Sequence, residues 1–227
     1  MINELLWIGS IFVCFCMVIA AYRLFGKNGL FAWMAVGVIV ANIEVMKTVE
    51  IFGMVTALGN VVYSSLFLTT DILTENYSKK EAQKAVLIGF FVLICVTVLM
   101  QMTITFIPDE SDFVSDHLSA LFVFLPRITF ASLTAYLVSQ TLDVYLFAKL
   151  KDRHRRRYLW FRNNFSTFLS QSIDTSMFTV LAFVGVFSPE IILQIFITSM
   201  IMKVVIGVCD TPFVYWARSL YEKKKMS

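Results

Sequence analysis

The chain has 227 residues, 58% of them hydrophobic and 15% charged, with a mean hydropathy of +0.76 and a formal net charge of +3. A soluble domain of this size carries about 25% charged residues, so the composition excludes one and describes an integral membrane protein with almost no chain left for a separate soluble domain. Cys14, Cys16, Cys95 and Cys209 all lie in apolar stretches and none forms a Cys-x-x-Cys pair, which argues against a disulfide framework or a zinc site.

Seven segments are long and apolar enough to be predicted as membrane-crossing helices, near residues 4–22, 29–46, 54–74, 83–107, 117–148, 165–187 and 190–220. A spanning helix needs about 20 apolar residues. The first has Glu4 before it and Arg23 and Lys27 after it, the reverse of a signal peptide, whose positive charge comes first. Arg23 and Lys27 follow the first segment. Lys79, Lys80 and Lys84 follow the third. The run from Lys149 to Arg162 follows the fifth, and Arg218 and Lys223 to Lys225 follow the seventh. Sixteen of the nineteen Lys and Arg residues thus fall on one side if seven helices alternate. The long loop on the other side holds Asp109, Glu110, Asp112 and Asp116 and no base. The positive-inside rule then predicts seven crossings, with the N-terminus outside and the C-terminus in the cytoplasm. The basic run 153–157 reads as a topology signal beside two helices rather than as a nucleic-acid patch. The fifth segment is longer than one crossing needs: either Pro126 kinks it near its outer end or its last turns project into the cytosol.

Polar residues that stay inside these segments are costly, because an acid or base in hydrocarbon costs about 2.5 to 3.5 kcal/mol even on insertion scales. The stretch 160–187 carries Ser170, Gln171, Asp174 and Thr175. Gln171 and Asp174 are three apart and share a helix face, with Phe178 four beyond. The pair either joins helices by a hydrogen bond or faces a binding cavity. Lys203 lies 13 residues past Glu190, about 20 Å along a helix and too deep to snorkel outward easily. Gly207 and Asp210 follow it on the same face. Arg127 follows Pro126 in the fifth segment. Lys47 and Glu50, near the outer end of the second, are expected to pair with each other. Asp71 and Asp143 are either interfacial or inward-facing, and Asn42, Asn60, Gln101, Gln140 and Gln194 add uncharged hydrogen-bonding groups. Charge enters from at least four segments, more than one structural pair requires, which favours a polar cavity inside a bundle. The sequence has no phosphate-binding loop of the Gly-x-x-x-x-Gly-Lys-Ser/Thr type, no His or Cys cluster at metal-ligand spacing, and no nucleophile beside a base.

Taken together, Leu-Thr-Thr-Asp-Ile-Leu (68–73) with Glu75, Asn76 and Tyr77, Pro126-Arg127-Ile128, Ala131 to Tyr136, Ser139-Gln140, Leu142-Asp143-Val144, Arg162-Asn163-Asn164 with Ser166-Thr167, Ser170 to Thr175 with Phe178, Ala182-Phe183 and Gly185, and Lys203 resemble the queuosine-precursor transporter family, also called the vitamin uptake transporter family. The resemblance implies import of 7-deazaguanine bases (the nitrile or aminomethyl precursor, or queuine) across the bacterial cytoplasmic membrane. It implies a six-helix core, similar to the substrate-binding subunits of energy-coupling-factor importers. The expected fold is an all-α single transmembrane domain over 1–227, with the core at about 29–220 and the helix at about 4–22 as an N-terminal addition. Ser78 stands where the family more usually has glycine. The candidate substrate-binding set is Asp174, Gln171, Lys203, Arg127, Phe178, Asn60, Asp71 and Asp210, with no catalytic residue, metal or cofactor. The expected partners are the small-molecule base and the bilayer, without nucleic acid, and homo-oligomerisation stays open. A secondary transporter working by alternating access is the first reading. A substrate-binding subunit of an energy-coupling-factor importer is the second, ahead of an intramembrane enzyme or a purely structural subunit.

Overall fold

The computed structural model describes residues 2–153, 159–185 and 188–226. The basic run from 154 to 157, read above as a topology signal, lies outside the described residues. Among those described are eight helices and one hairpin: α1 (Ile2–Phe25), α2 (Lys27–Glu44), β1 (Thr48–Ile51), β2 (Met54–Ala57), α3 (Asn60–Asn76), α4 (Lys79–Thr103), α5 (Ser115–Phe122), α6 (Leu125–Arg153), α7 (Leu159–Phe183) and α8 (Pro189–Met226). Among the described residues, four stretches are long and apolar enough to cross a membrane: Ile2–Phe25, Lys79–Thr103, Ser115–Leu150 and Ile192–Lys223.

The fold is all-helical as expected, apart from one short hairpin between α2 and α3 that corrects a helix boundary. The segment expected to be helical from residue 54 begins as a strand, and its helix starts only at Asn60. Thr48, Val49, Ile51, Val55 and Thr56 are β-branched and favour a pleated surface. Phe52 and Gly53 form the turn with φ of 52° and 73°, the left-handed pair that a two-residue hairpin needs. Phe52 accepts this conformation because it is tied down. Its amide donates to Glu4 Oε1 at 3.3 Å, and its ring meets Trp7 edge-on at 6.2 Å. Asn3 Nδ2 donates to the Glu50 carbonyl at 3.0 Å. The hairpin also undoes the expected Lys47–Glu50 pair. Extended chain does not bring residues three apart together as a helix does, and no ion pair joins the two among the described residues.

The fifth segment divides into α5 and α6, with the break at Val123 and Phe124, just before Pro126. Proline has no N–H to offer the carbonyl four residues back, which here belongs to Phe122. Gln101 of α4 supplies the missing donor, its Nε2 lying 2.6 Å from that oxygen. At the start of α4, Ser78 is extended and accepts from the Glu81 amide at 3.3 Å. Ser78 thus caps the helix with its own side chain, so serine suits this position without glycine's backbone freedom.

At the centre is α3. Every residue from Ser64 to Asn76 is buried, including Ser64, Ser65, Thr69, Thr70, Asp71, Thr74, Glu75 and Asn76. Several of its hydroxyls donate back to their own helix: Thr69 to Ser65, Thr70 to Phe67 and Thr74 to Thr70, at 2.8 to 2.9 Å. This pattern gives hydroxyl residues inside a helix an acceptor on their own backbone. Around α3 pack α1, α2, α4, α6 and α8, and α7 lies between α6 and α8. One end of the bundle is tied by α1, α3 and α8. Asn76 Nδ2 donates to the Tyr22 hydroxyl at 3.1 Å and to the Ala217 carbonyl at 3.2 Å. Arg218 lies 3.6 Å from the buried Glu75. Tyr77 packs edge-on between Tyr22 and Tyr221, with centroids 6.4 and 5.3 Å away.

Replacing Gln101 with Leu strands the Phe122 carbonyl and should cost about 1 to 3 kcal/mol, read as a lower thermal midpoint of the purified protein. In a Pro126→Ala background the restored N–H can serve that carbonyl, and the same Gln101→Leu change should then cost markedly less. Equal losses in both backgrounds would refute the account.

Candidate functional site

Four helices converge on one carboxylate. Asp174, at the middle of α7, is 3% exposed. Its Oδ1 accepts from the Tyr63 hydroxyl of α3 at 2.5 Å and from Ser139 Oγ of α6 at 3.0 Å. Its Oδ2 accepts from Lys203 Nζ of α8 at 2.7 Å. The ammonium also donates to Thr175 Oγ1 at 3.0 Å and lies 5.0 Å from the centre of the Tyr63 ring. Lys203 is 6% exposed. Each charge alone would be expensive in this interior; paired at 2.7 Å, with hydroxyls on the remaining positions, they sum to zero and are solvated by the protein.

The pair lines an internal cavity of about 70 Å³. Its walls come from the end of α2 (Ala41, Asn42, Val45), the β2–α3 connection (Ala57 to Asn60), α7 (Phe178, Thr179, Phe183) and α8 (Ile195, Ser199). The space is polar on its floor and aromatic on its side. It lies toward the hairpin, away from the end tied by Tyr22, Tyr77 and Arg218. Gly59 makes the wall thin. Its φ is +88°, and a Cβ there would lie 2.8 Å from the Ala41 carbonyl. Beyond the wall, between α1 and α2, is a larger cavity of about 580 Å³ lined mostly by apolar side chains such as Trp7, Val36 and Val40. Glu44, Lys47, Thr56 and Asn60 also line it, but the buried Asp174–Lys203 pair opens only on the smaller cavity, which is therefore the candidate site.

The structure brings together Asp174, Lys203, Phe178 and Asn60 of the expected set. Asn60 Nδ2 reaches the Ala57 carbonyl at 3.1 Å and Thr56 Oγ1 at 3.4 Å. Gln171, Asp71 and Asp210 are buried at 3%, 1% and 0% exposure but do not line the cavity. Gln171 Nε2 meets no acceptor among the described residues. One turn from Asp174 toward the tied end, Ser170 donates to Asp143 at 2.6 Å. Thr70 lies 3.3 Å from Gln140 Oε1. The interior below the cavity is therefore polar as well. Arg127 stands apart from this set: it is exposed, and its guanidinium donates to the Val184 carbonyl at 2.7 Å. One residue past Pro126 at the start of α6, it is too near the helix end to reach the pair.

Sequence reasoning missed Tyr63, Ser139 and Thr175 as partners of the pair. Tyr63 precedes Thr70 and Asp71 by seven and eight residues, which places it on their helix face. That spacing was the available signal. Thr175 was noted beside Asp174 but not as a partner of the lysine, and Ser139 carries no comparable mark, since hydroxyl residues are common in such helices.

A family model described as "Putative vitamin uptake transporter" matches residues 57–217. Over 228 aligned residues, the whole of both chains, this chain is 40% identical to the "Probable queuosine precursor transporter" of Bacillus subtilis. It is 28% identical over 126 residues to a protein of the same name from Haemophilus influenzae, covering 55% of this chain and 51% of that one. No solved structure matches.

Removing one member of a buried ion pair leaves the other uncompensated, at about 3 to 5 kcal/mol. Asp174→Asn and Lys203→Met should each lower the thermal midpoint substantially. The double variant should recover much of the loss while binding remains lost. Additive losses in the double variant would show that the two charges do not depend on each other.

Proposed function

The chain belongs to the vitamin uptake transporter family, and from that premise we propose that it imports a queuosine precursor, a 7-deazaguanine base, by alternating access and without chemistry on the substrate. The observation that carries the reading is the Asp174–Lys203 pair set in the floor of an internal cavity among four helices. A deazaguanine presents adjacent N–H and NH₂ donors on its pairing edge, and a carboxylate accepts both. Its carbonyl oxygen accepts from a lysine or an amide. Its flat faces stack on an aromatic ring. Asp174, Lys203, Asn60 and Phe178 offer these groups around one space. Alternating access is supported by the asymmetry of the bundle, with a cavity toward the hairpin and tyrosines and an ion pair closing the other end. Seven crossings with the N-terminus outside and the C-terminus in the cytoplasm are supported by the distribution of basic residues, and a single domain over 1–227 by the packing of α1 against α2, α3 and α8. Both relatives are named as transporters, which favours a chain that transports by itself over a binding subunit awaiting an ATP-driven complex.

Purified chain in proteoliposomes should accumulate labelled deazaguanine without ATP or a second protein. Competition with the nitrile precursor, the aminomethyl precursor, queuine and guanine should rank the bases. Binding without uptake would overturn transport by the chain alone, and preference for guanine would overturn the substrate class.

The orientation is checked in a background with the native cysteines replaced. A cysteine within 109–116 should react with an impermeant thiol reagent added to intact cells, and Ser219→Cys should react only once the membrane is opened. The opposite pattern would reverse the topology.

A further inference from the structure

Three donors already occupy Asp174 before any ligand arrives, and a carboxylate offers about four acceptor positions. The cavity above it, about 70 Å³, is well below the roughly 300 Å³ at which ligand pockets begin. A planar base whose N–H edge reads Asp174 must therefore displace one of those donors. Ser139 is 0% exposed and does not line the cavity; it approaches the carboxylate from behind. Lys203 lines the cavity, but leaving Asp174 would strand an ammonium in the interior. Tyr63 lines the cavity, is uncharged, and holds Oδ1 from the cavity side.

We propose that Tyr63 is a placeholder donor: its hydroxyl holds the acceptor position on Asp174 that the ligand's own N–H takes, and gives it up on binding. This rests on the edge-reading role of Asp174 given above. Its consequence is that entry of the ligand exchanges one hydrogen bond to the carboxylate for another instead of adding one. Affinity is held down, and the returning phenol helps to expel the ligand. The phenol oxygen is fixed to its ring, so giving up the position means that the ring tilts away from Asp174 within its edge-on packing against Phe67 and Tyr136, whose centroids lie 5.7 and 6.0 Å away.

Tyr63→Phe keeps the ring and removes the donor. The dissociation constant for deazaguanine should fall about threefold to tenfold, a discounted share of one hydrogen bond to a charged group. Maximal uptake should fall together with KM, because release is slowed. The thermal midpoint should drop in the empty protein and match wild type when ligand is saturating. Weaker or unchanged binding by Tyr63→Phe overturns the proposal, since a tyrosine that contacts the ligand directly, or not at all, gives those results. An independent reading needs no variant: with isotope-labelled tyrosine in the wild-type protein, the ligand-induced infrared difference spectrum should show a tyrosine C–O band shifting as the hydroxyl leaves a carboxylate, and no shift would also overturn it. Asp174→Asn separates the two ideas. If it binds normally, the edge-reading role itself fails. If it loses binding while Tyr63→Phe does not tighten, only the placeholder fails.

Discussion

A lysine and an aspartate can share the interior of this bundle only because they meet. Neither charge is tolerable alone in a medium of low polarity, and their contact at 2.7 Å sets the positions of the helices that carry them. Asp174 fixes α7 and Lys203 fixes α8; the hydroxyls of Tyr63 and Ser139 bring α3 and α6 to the same point. The cavity exists where these four helices meet the end of α2 and the connection into α3. A site built this way couples binding to packing. Whatever perturbs the carboxylate is felt by four helices.

The two ends of the molecule are built from different materials. Toward the hairpin, the walls are thin and include a short loop, a strand and a glycine with a left-handed backbone. At the opposite end, tyrosines from α1, α3 and α8 interlock beside an ion pair. Tyr22 and Tyr221 lie outside the stretch matched by the family model, so the tied end draws on parts of the chain beyond the common core. The first helix is accordingly built into the tied end through Tyr22 and more than an appendage.

The charged residues were the most legible in the sequence because hydrocarbon makes each of them conspicuous. Asp174 and Lys203 stood out for that reason, and the structure joins them. Arg127 stood out equally and proved to sit near a helix end, because hydropathy does not separate a deep charge from one just inside the segment boundary. The hairpin escaped notice because Met54 to Ala57 is as apolar as a helix end, and only the left-handed turn at Phe52 and Gly53 distinguishes it. Tyr63 and Ser139 escaped notice because a hydroxyl costs little in a helix, where its own backbone can accept from it. The sequence pattern thus pointed to the groups with a large energetic cost and passed over the inexpensive ones that complete the site.

The burial of α3 bears on how the protein is made. Of its 17 residues, the 13 from Ser64 to Asn76 are buried, and they include Asp71 and Glu75. A segment of that composition gains little by entering lipid on its own, and its 17 residues are at the short limit for a crossing. Its packing neighbours α1 and α4 are long and apolar enough to cross unaided. The order of assembly follows from this. The greasy helices on either side enter the bilayer first, and α3 is drawn in between them as its side chains find partners. The helix at the heart of the protein is therefore the one whose insertion depends most on the rest of the chain, and a newly made protein halted after α3 would be the species most exposed to quality-control proteolysis.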